Sequence, residues 1–151
     1  MKENMILAHM DCAERYARLS TARRMKVGAL VVQGDRVISI GYNGTEPGAD
    51  NNCEIEPENW DGDIQKLVSK PDVIHAEANA LNKLEAEYEA GRLVWTEGFG
   101  ADLFCNYSCC VSCATKMVQH GIRRFFYRHK YRDLSGLDYL ADHGVEVKQI
   151  V

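Results

Sequence analysis

The sequence predicts an α/β fold, with a partly parallel β-sheet and helices packed on both of its faces. Three observations predict it. A β-rich hairpin pattern lies near the N-terminus. Strand and helix patterns then alternate through the second half, the rhythm of a sheet built from crossovers. Finally, 151 residues, 46% hydrophobic and 26% charged, suffice for one compact domain with its own core. No internal repeat, low-complexity tract or linker is visible, so the expected organisation is a single domain over 1–151.

Along the chain, residues 4–19 set Met5, Ile6, His9, Cys12, Ala13, Tyr16 and Ala17 at helical spacing. Val27 to Val32 and Val37 to Tyr42 are β-rich, and Gln33-Gly34-Asp35-Arg36 joins them as a hairpin. A polar, acidic stretch follows from about Gly44 to Asp72, holding Pro47, Gly48, Pro57 and Gly62. A loop of that length in a small domain reads either as functional or mobile, or as a solvated insertion containing a short helix. A second helix is expected from Val73 to Ala90, with Asp72 as N-cap and Gly91 as stop. Ala101 to Tyr107 reads as a strand and Cys110 to His120 as a helix closed by Gly121. Arg123 to Arg128 is a strand, Leu134 to Asp142 a helix, and Val145 to Ile150 a final strand.

Charge and cysteine usage exclude several classes. A net charge of −4 disfavours a general nucleic-acid binder, which needs a basic face, but leaves room for a small phosphorylated substrate. No apolar run approaches the roughly 20 residues of a membrane span. Met1-Lys2-Glu3-Asn4 carries an acid and does not read as a signal peptide. Of six cysteines, Cys105, Cys109, Cys110 and Cys113 crowd together, which reads as metal binding in a reducing cytoplasm rather than as disulfides.

The chemistry is carried by His75-Ala76-Glu77 and Cys110-Val111-Ser112-Cys113. Cys110 and Cys113 stand three apart on one side of a helix, so their sulfurs can converge on one ion. Both fall in the expected first turn, where the helix dipole favours thiolates, and His75 falls in the first turn of its own helix. Zinc held by three protein ligands keeps its fourth position open for water, as in catalytic sites. Glu77 is then a spare carboxylate able to carry protons. A lone H-x-E says little, and a lone C-x-x-C also suits redox chemistry or half of a zinc ribbon. A ribbon needs a second C-x-x-C or an H-x₃₋₅-H, and the sequence has neither.

These motifs belong to the zinc nucleobase deaminases, and the chain resembles the deoxycytidylate (dCMP) deaminases over nearly its whole length. The resemblance also runs through Ser20-Thr21-Ala22-Arg23-Arg24, Val27-Gly28-Ala29, Gly41-Tyr42-Asn43-Gly44-Thr45, Asn51-Asn52-Cys53-Glu54 and Lys130-Tyr131-Arg132-Asp133. It implies a cytidine-deaminase-like three-layer α/β/α sandwich around a five-stranded mixed sheet. It implies hydrolysis of dCMP to dUMP and ammonia, upstream of thymidylate synthesis. His75, Cys110 and Cys113 would bind Zn²⁺ and Glu77 would shuttle protons. Asn43 would meet the deoxyribose, and the Ala76 backbone and Ser108 carbonyl would read the pyrimidine. Arg24, Lys26 and Tyr131 are the candidates for the 5′-phosphate. Many members are homohexamers activated by dCTP and inhibited by dTTP, with Mg²⁺ on the effector. Here Gly41, Tyr42, Asn43 and Gly44, with the polar segment behind them, would carry that regulation.

The chain departs from the family pattern in places. Cys109 stands where proline stiffens the entry to the metal-binding helix. Thr45-Glu46-Pro47-Gly48 replaces Thr-Pro-Ser-Gly. Ala22 occupies a position where some members carry a cysteine of a second, structural zinc site, for which Cys53, Cys12 and His9 are substitutes to weigh against burial in a helix face. Arg23, Arg24 and Lys26 read equally as a phosphate cradle or a solvated helix end. The cluster of Arg123, Arg124, Arg128, Lys130 and Arg132 reads as surface or subunit interface. His120, His129 and His143 read as surface or helix-end residues. Two other functions compete with dCMP deamination. One is a deaminase of a modified dCMP, a free nucleoside or a tRNA adenosine. The other is a non-enzymatic nucleotide-sensing zinc protein, which would have no use for Glu77.

Overall fold

The structure is a computed structural model that describes residues 1–93 and 100–151. Five strands form one mixed sheet: β1 (Gly28–Gln33), β2 (Arg36–Tyr42), β5 (Ala101–Tyr107), β6 (Ile122–His129) and β7 (Glu146–Gln149), ordered β2-β1-β5-β6-β7. Strand β1 runs antiparallel to β2 and β5, whereas β5, β6 and β7 are mutually parallel. A second, two-stranded sheet pairs β3 (Glu54–Ile55) with β4 (Val68–Ser69). The helices are α1 (Glu3–Ala17), α2 (Ala76–Glu89), α3 (Val111–Gln119) and α4 (Ser135–Asp142). This is the expected three-layer sandwich. No described helix is long and apolar enough to cross a membrane.

Strand parity builds the layers. Successive side chains point to opposite faces, so Leu30, Val32, Phe104 and Phe126 meet Ile6, Met10 and Ala13 of α1 on one side. The Phe104 and Phe126 rings stack there at 4.6 Å. Ala29, Val31, Leu103, Cys105 and Phe125 point the other way. They meet Leu81 and Leu84 of α2, Met117 of α3 and Leu140 of α4. Strands β1 and β5 are both buried on their two faces; β1 for that reason reads in sequence as an apolar run, whereas β5 carries the buried polar residues Asp102 and Asn106. The expected hairpin forms, with Gly34 and Asp35 both at positive φ (56° and 62°) in a two-residue turn.

Two expectations need correction. Helix α2 begins at Ala76, not Val73, and its N-cap is His75, not Asp72. Ile74 instead exchanges two backbone hydrogen bonds with Gly44 (2.8 and 3.1 Å), which holds Val73 and Ile74 extended. Likewise α3 begins at Val111, with Cys110 as its N-cap. The polar segment contains a 3₁₀ turn at Ile64–Lys66, the short helix of one of its two readings, and it also pairs β3 with β4. It is tied to the body by the Glu54 carboxylate. Its Oε2 accepts from the backbone N–H groups of Arg23 (2.8 Å) and Arg24 (2.9 Å).

Candidate metal centre and cleft

The start of α2 and the start of α3 converge beside the ends of β1 and β5. Gly41 allows the first approach: a Cβ there would lie 2.5 Å from Ala80 N, inside the helix backbone. The residue must be glycine for α2 to lie this close to β2. Gly136 allows the second, because α4 rests directly on the Cys109–Cys110 backbone at the entry to α3.

His75, Cys110 and Cys113 meet at this junction, their ligand atoms all within 4.8 Å of one another. Among the described residues this is the one such group of three. His75 Nδ1 lies 3.5 Å from Cys110 Sγ and 3.4 Å from Cys113 Sγ. Tetrahedral zinc with Zn–S of about 2.3 Å and Zn–N of about 2.0 Å needs an N···S edge of about 3.5 Å. The donor set therefore fits zinc in both chemistry and spacing. Neither His75 nor Cys110, though each is an N-cap, spends its side chain on capping its helix. Both are left for the shared centre. Hydrogen bonds from Cys113 and His75 pull the Cys110 thiol down to about 4, which favours its thiolate form. Its bond to that thiolate raises Cys113, and burial adds to this; the bond to Cys110 also raises His75.

Glu77, one helical residue into α2, is only 4% exposed. Burial raises its carboxyl above the ordinary range, while a hydrogen bond from Cys105 opposes the rise. The Cys105 thiol donates to Glu77 Oε1 at 3.1 Å.

A cleft of about 270 Å³ opens over the centre, lined by His75, Glu77 and Cys110. Arg24, Asn43, Ala76, Ser108 and Tyr131 also line it. The Ser108 hydroxyl accepts from the Tyr131 backbone N–H at 2.7 Å, joining the loops after β5 and β6. The Asn43 amide is already engaged at its two ends. Its Oδ1 accepts from Val27 N–H and its Nδ2 donates to the Met25 carbonyl, both at 2.9 Å. Lys26 is not brought to this cleft. It lines a separate surface hollow with Asp11, Glu14 and Arg128, because its neighbour Val27 turns into the core. Gly41 is buried under α2, whereas Tyr42, Asn43 and Gly44 are partly exposed.

The remaining cysteines take other places. Cys109 is buried in the core and burial pushes its thiol far up. Cys12 is exposed, Cys53 lines the cleft, and His9 packs on Phe104, so these three are not a cluster. Several cleft residues escaped the sequence reading. Lys70 and Ser69 line it from the polar segment, and Arg24 Nη2 donates to Ser69 Oγ at 3.4 Å. Glu54 stood inside the Asn-Asn-Cys-Glu run, but nothing separated it from the other acids nearby. Cys105, buried behind the cleft against Glu77, is placed by strand parity, since Leu103 and Cys105 must share a face.

Residues 3–129 match the family model for the cytidine and deoxycytidylate deaminase zinc-binding region. The chain belongs to that deaminase family. Among its deaminase relatives is the deoxycytidylate deaminase of Schizosaccharomyces pombe, 34% identical over 145 residues, covering 94% of this chain and 42% of the other. The Saccharomyces cerevisiae deoxycytidylate deaminase is 36% identical over 143 residues, covering 93% and 43%. The chain thus spans less than half the length of these two relatives. A crystal structure of dCMP deaminase from the cyanophage S-TIM5, in complex with dCMP and dUMP, superposes with a TM-score of 0.82. It has 36% identity and 99% coverage of both chains.

Proposed function

We propose that this chain is a zinc-dependent dCMP deaminase, one catalytic domain over 1–151, converting dCMP and water to dUMP and ammonia. The observation that carries the proposal is a buried carboxylate, Glu77, beside a His-Cys-Cys set with zinc spacing, in a cleft bordered by Arg24 and Lys70. The full-length likeness to a cyanophage enzyme solved with dCMP and dUMP supports the choice of substrate.

His75, Cys110 and Cys113 would hold the ion. Zinc, when bound, supplies a Lewis acid that brings the pKa of water from about 15.7 to about 7. Glu77 takes the proton of the attacking water and delivers it to ring N3 as the C4–O bond forms. It then carries the second proton from that oxygen to the amine as the C4–N bond breaks. Ammonia leaves, C4 keeps a carbonyl oxygen and N3 keeps its hydrogen. Burial of Glu77 suits a group that must both hold and release a proton. Arg24 takes the 5′-phosphate, with Tyr131 beside it, and Asn43 offers its second amide hydrogen to the sugar. The Ala76 backbone and the Ser108 carbonyl read the base.

Activation by dCTP and inhibition by dTTP, each with Mg²⁺, belong to the same proposal, as does a homohexamer acting in the cytoplasm on dTMP precursors. The Gly41–Gly44 run supports the regulatory part. It leads from the α2 contact at Gly41 to the cleft wall at Asn43, so a ligand on Tyr42 or Gly44 would press on the catalytic helix. The test is an ammonia-release panel with dCMP, deoxycytidine and 5-substituted dCMP, repeated with dCTP-Mg²⁺ and dTTP-Mg²⁺. Preferred turnover of dCMP is expected. Zinc-loaded protein that releases no ammonia from any of them would overturn the proposal.

A further inference from the structure

Cys105 lies outside the metal group, yet it touches the one side chain the chemistry depends on. It is fully buried, and its Sγ stands 3.1 Å from Glu77 Oε1. Strand parity puts it there. Position 105 of β5 faces the α2 layer, paired across the ladder with Ala29 on β1 and with Tyr127 on β6. The thiol is a donor only: burial, and then the Glu77 charge, raise it well above its ordinary value, so it keeps its proton.

A buried carboxylate with no donor is costly, and its terminal torsion is broad, so its plane is poorly fixed. Two thiols lie within reach of Glu77, those of Cys105 and Cys113. A cysteine that ligates a metal has no proton to give. Once His75, Cys110 and Cys113 hold the ion, Cys105 is the thiol donor that remains among the described residues.

Building on the deaminase reading of the cleft, we propose that Cys105 is the positioning residue for Glu77, its thiol holding Oε1 so that Oε2 faces the cleft. Proton transfer then starts from a fixed carboxylate plane. No bond to Cys105 forms or breaks, and the thiol is too deeply buried to meet substrate.

The experiment compares Cys105→Val, which removes the donor at similar bulk, with Cys105→Ser, which keeps one. For Cys105→Val we expect kcat for dCMP to fall about tenfold, with KM and zinc content unchanged. Cys105→Ser is expected to recover kcat to within about threefold of the parent chain. A valine variant with parent kcat, or a serine variant as slow as valine at equal zinc content, overturns the proposal. An infrared arm needs no turnover. The S–H stretch lost in Cys105→Val should move toward the free-thiol position in Glu77→Gln, and an unmoved band also overturns the proposal. If the parent chain releases no ammonia from dCMP, the deaminase reading fails, and the infrared arm alone decides whether the thiol holds the carboxylate.

Discussion

Gly136 and Cys110 are in backbone contact across two helices: a Cβ at Gly136 would lie 2.8 Å from the Cys110 carbonyl carbon. Helix α4 thereby fixes the entry to α3 from outside, at the place where Cys109 lacks the rigid φ of proline. Gly136→Ala should push Cys110 out of line with His75. We expect a loss of about 1–3 kcal/mol in thermal or denaturant unfolding, with weaker zinc retention against a chelator. Unchanged zinc retention would separate α4 from the metal centre.

The two basic candidates near the N-terminal loop should behave differently. Arg24 lines the cleft and Lys26 does not. Arg24→Ala should raise KM for dCMP on the order of tenfold while leaving turnover of deoxycytidine alone, a charge-assisted contact being lost. Lys26→Ala should leave both unchanged. Steady-state kinetics on the two substrates reads the difference.

The metal-free protein should carry one unusually reactive thiol. Cys110 is partly exposed and its thiol is lowered to about 4. Iodoacetamide should therefore modify Cys110 at pH 6, with a midpoint near 4, while buried Cys113 resists. The sign for stability follows the same direction. The depressed Cys110 thiol contributes stability to the folded metal-free chain that is lost as pH falls through about 4, while the raised Cys113 thiol opposes it above the unfolded value near 9. Mass mapping after alkylation checks the site, and added zinc should protect it.

Glu77→Gln keeps the shape and removes the proton carrier. Ammonia release should fall by on the order of 10²–10⁴ with zinc content unchanged. Retained deamination in a zinc-loaded variant would refute the role given to Glu77.

Much of the fold was legible because its signals are local. The hairpin announced itself through Gly34 and Asp35, and the C-terminal strands and helices through their periodicities. The two helix starts at the site were not, since Ile74 pairs with Gly44 and only tertiary contact extends Val73 and Ile74. Strands β3 and β4 were missed because two residues of each carry no periodicity, and the buried Glu54 that anchors them looks in sequence like any other acid. Of the site, spacing brought out His75, Cys110, Cys113 and Glu77. Lys26 was misplaced because nothing in Arg23-Arg24-Met25-Lys26 says which basic side chain turns toward the cleft.

The uncapped starts of α2 and α3 have a consequence for the life of the protein. One ion would bridge side chains 35 residues apart and drawn from opposite halves of the chain. Such an ion is a removable cross-link, and the folded population then follows supply. Each tenfold rise in free zinc above the dissociation constant adds about 1.4 kcal/mol to the native state. Starved of metal, this chain would lose resistance to proteases as well as activity, so its abundance would follow the zinc available to it.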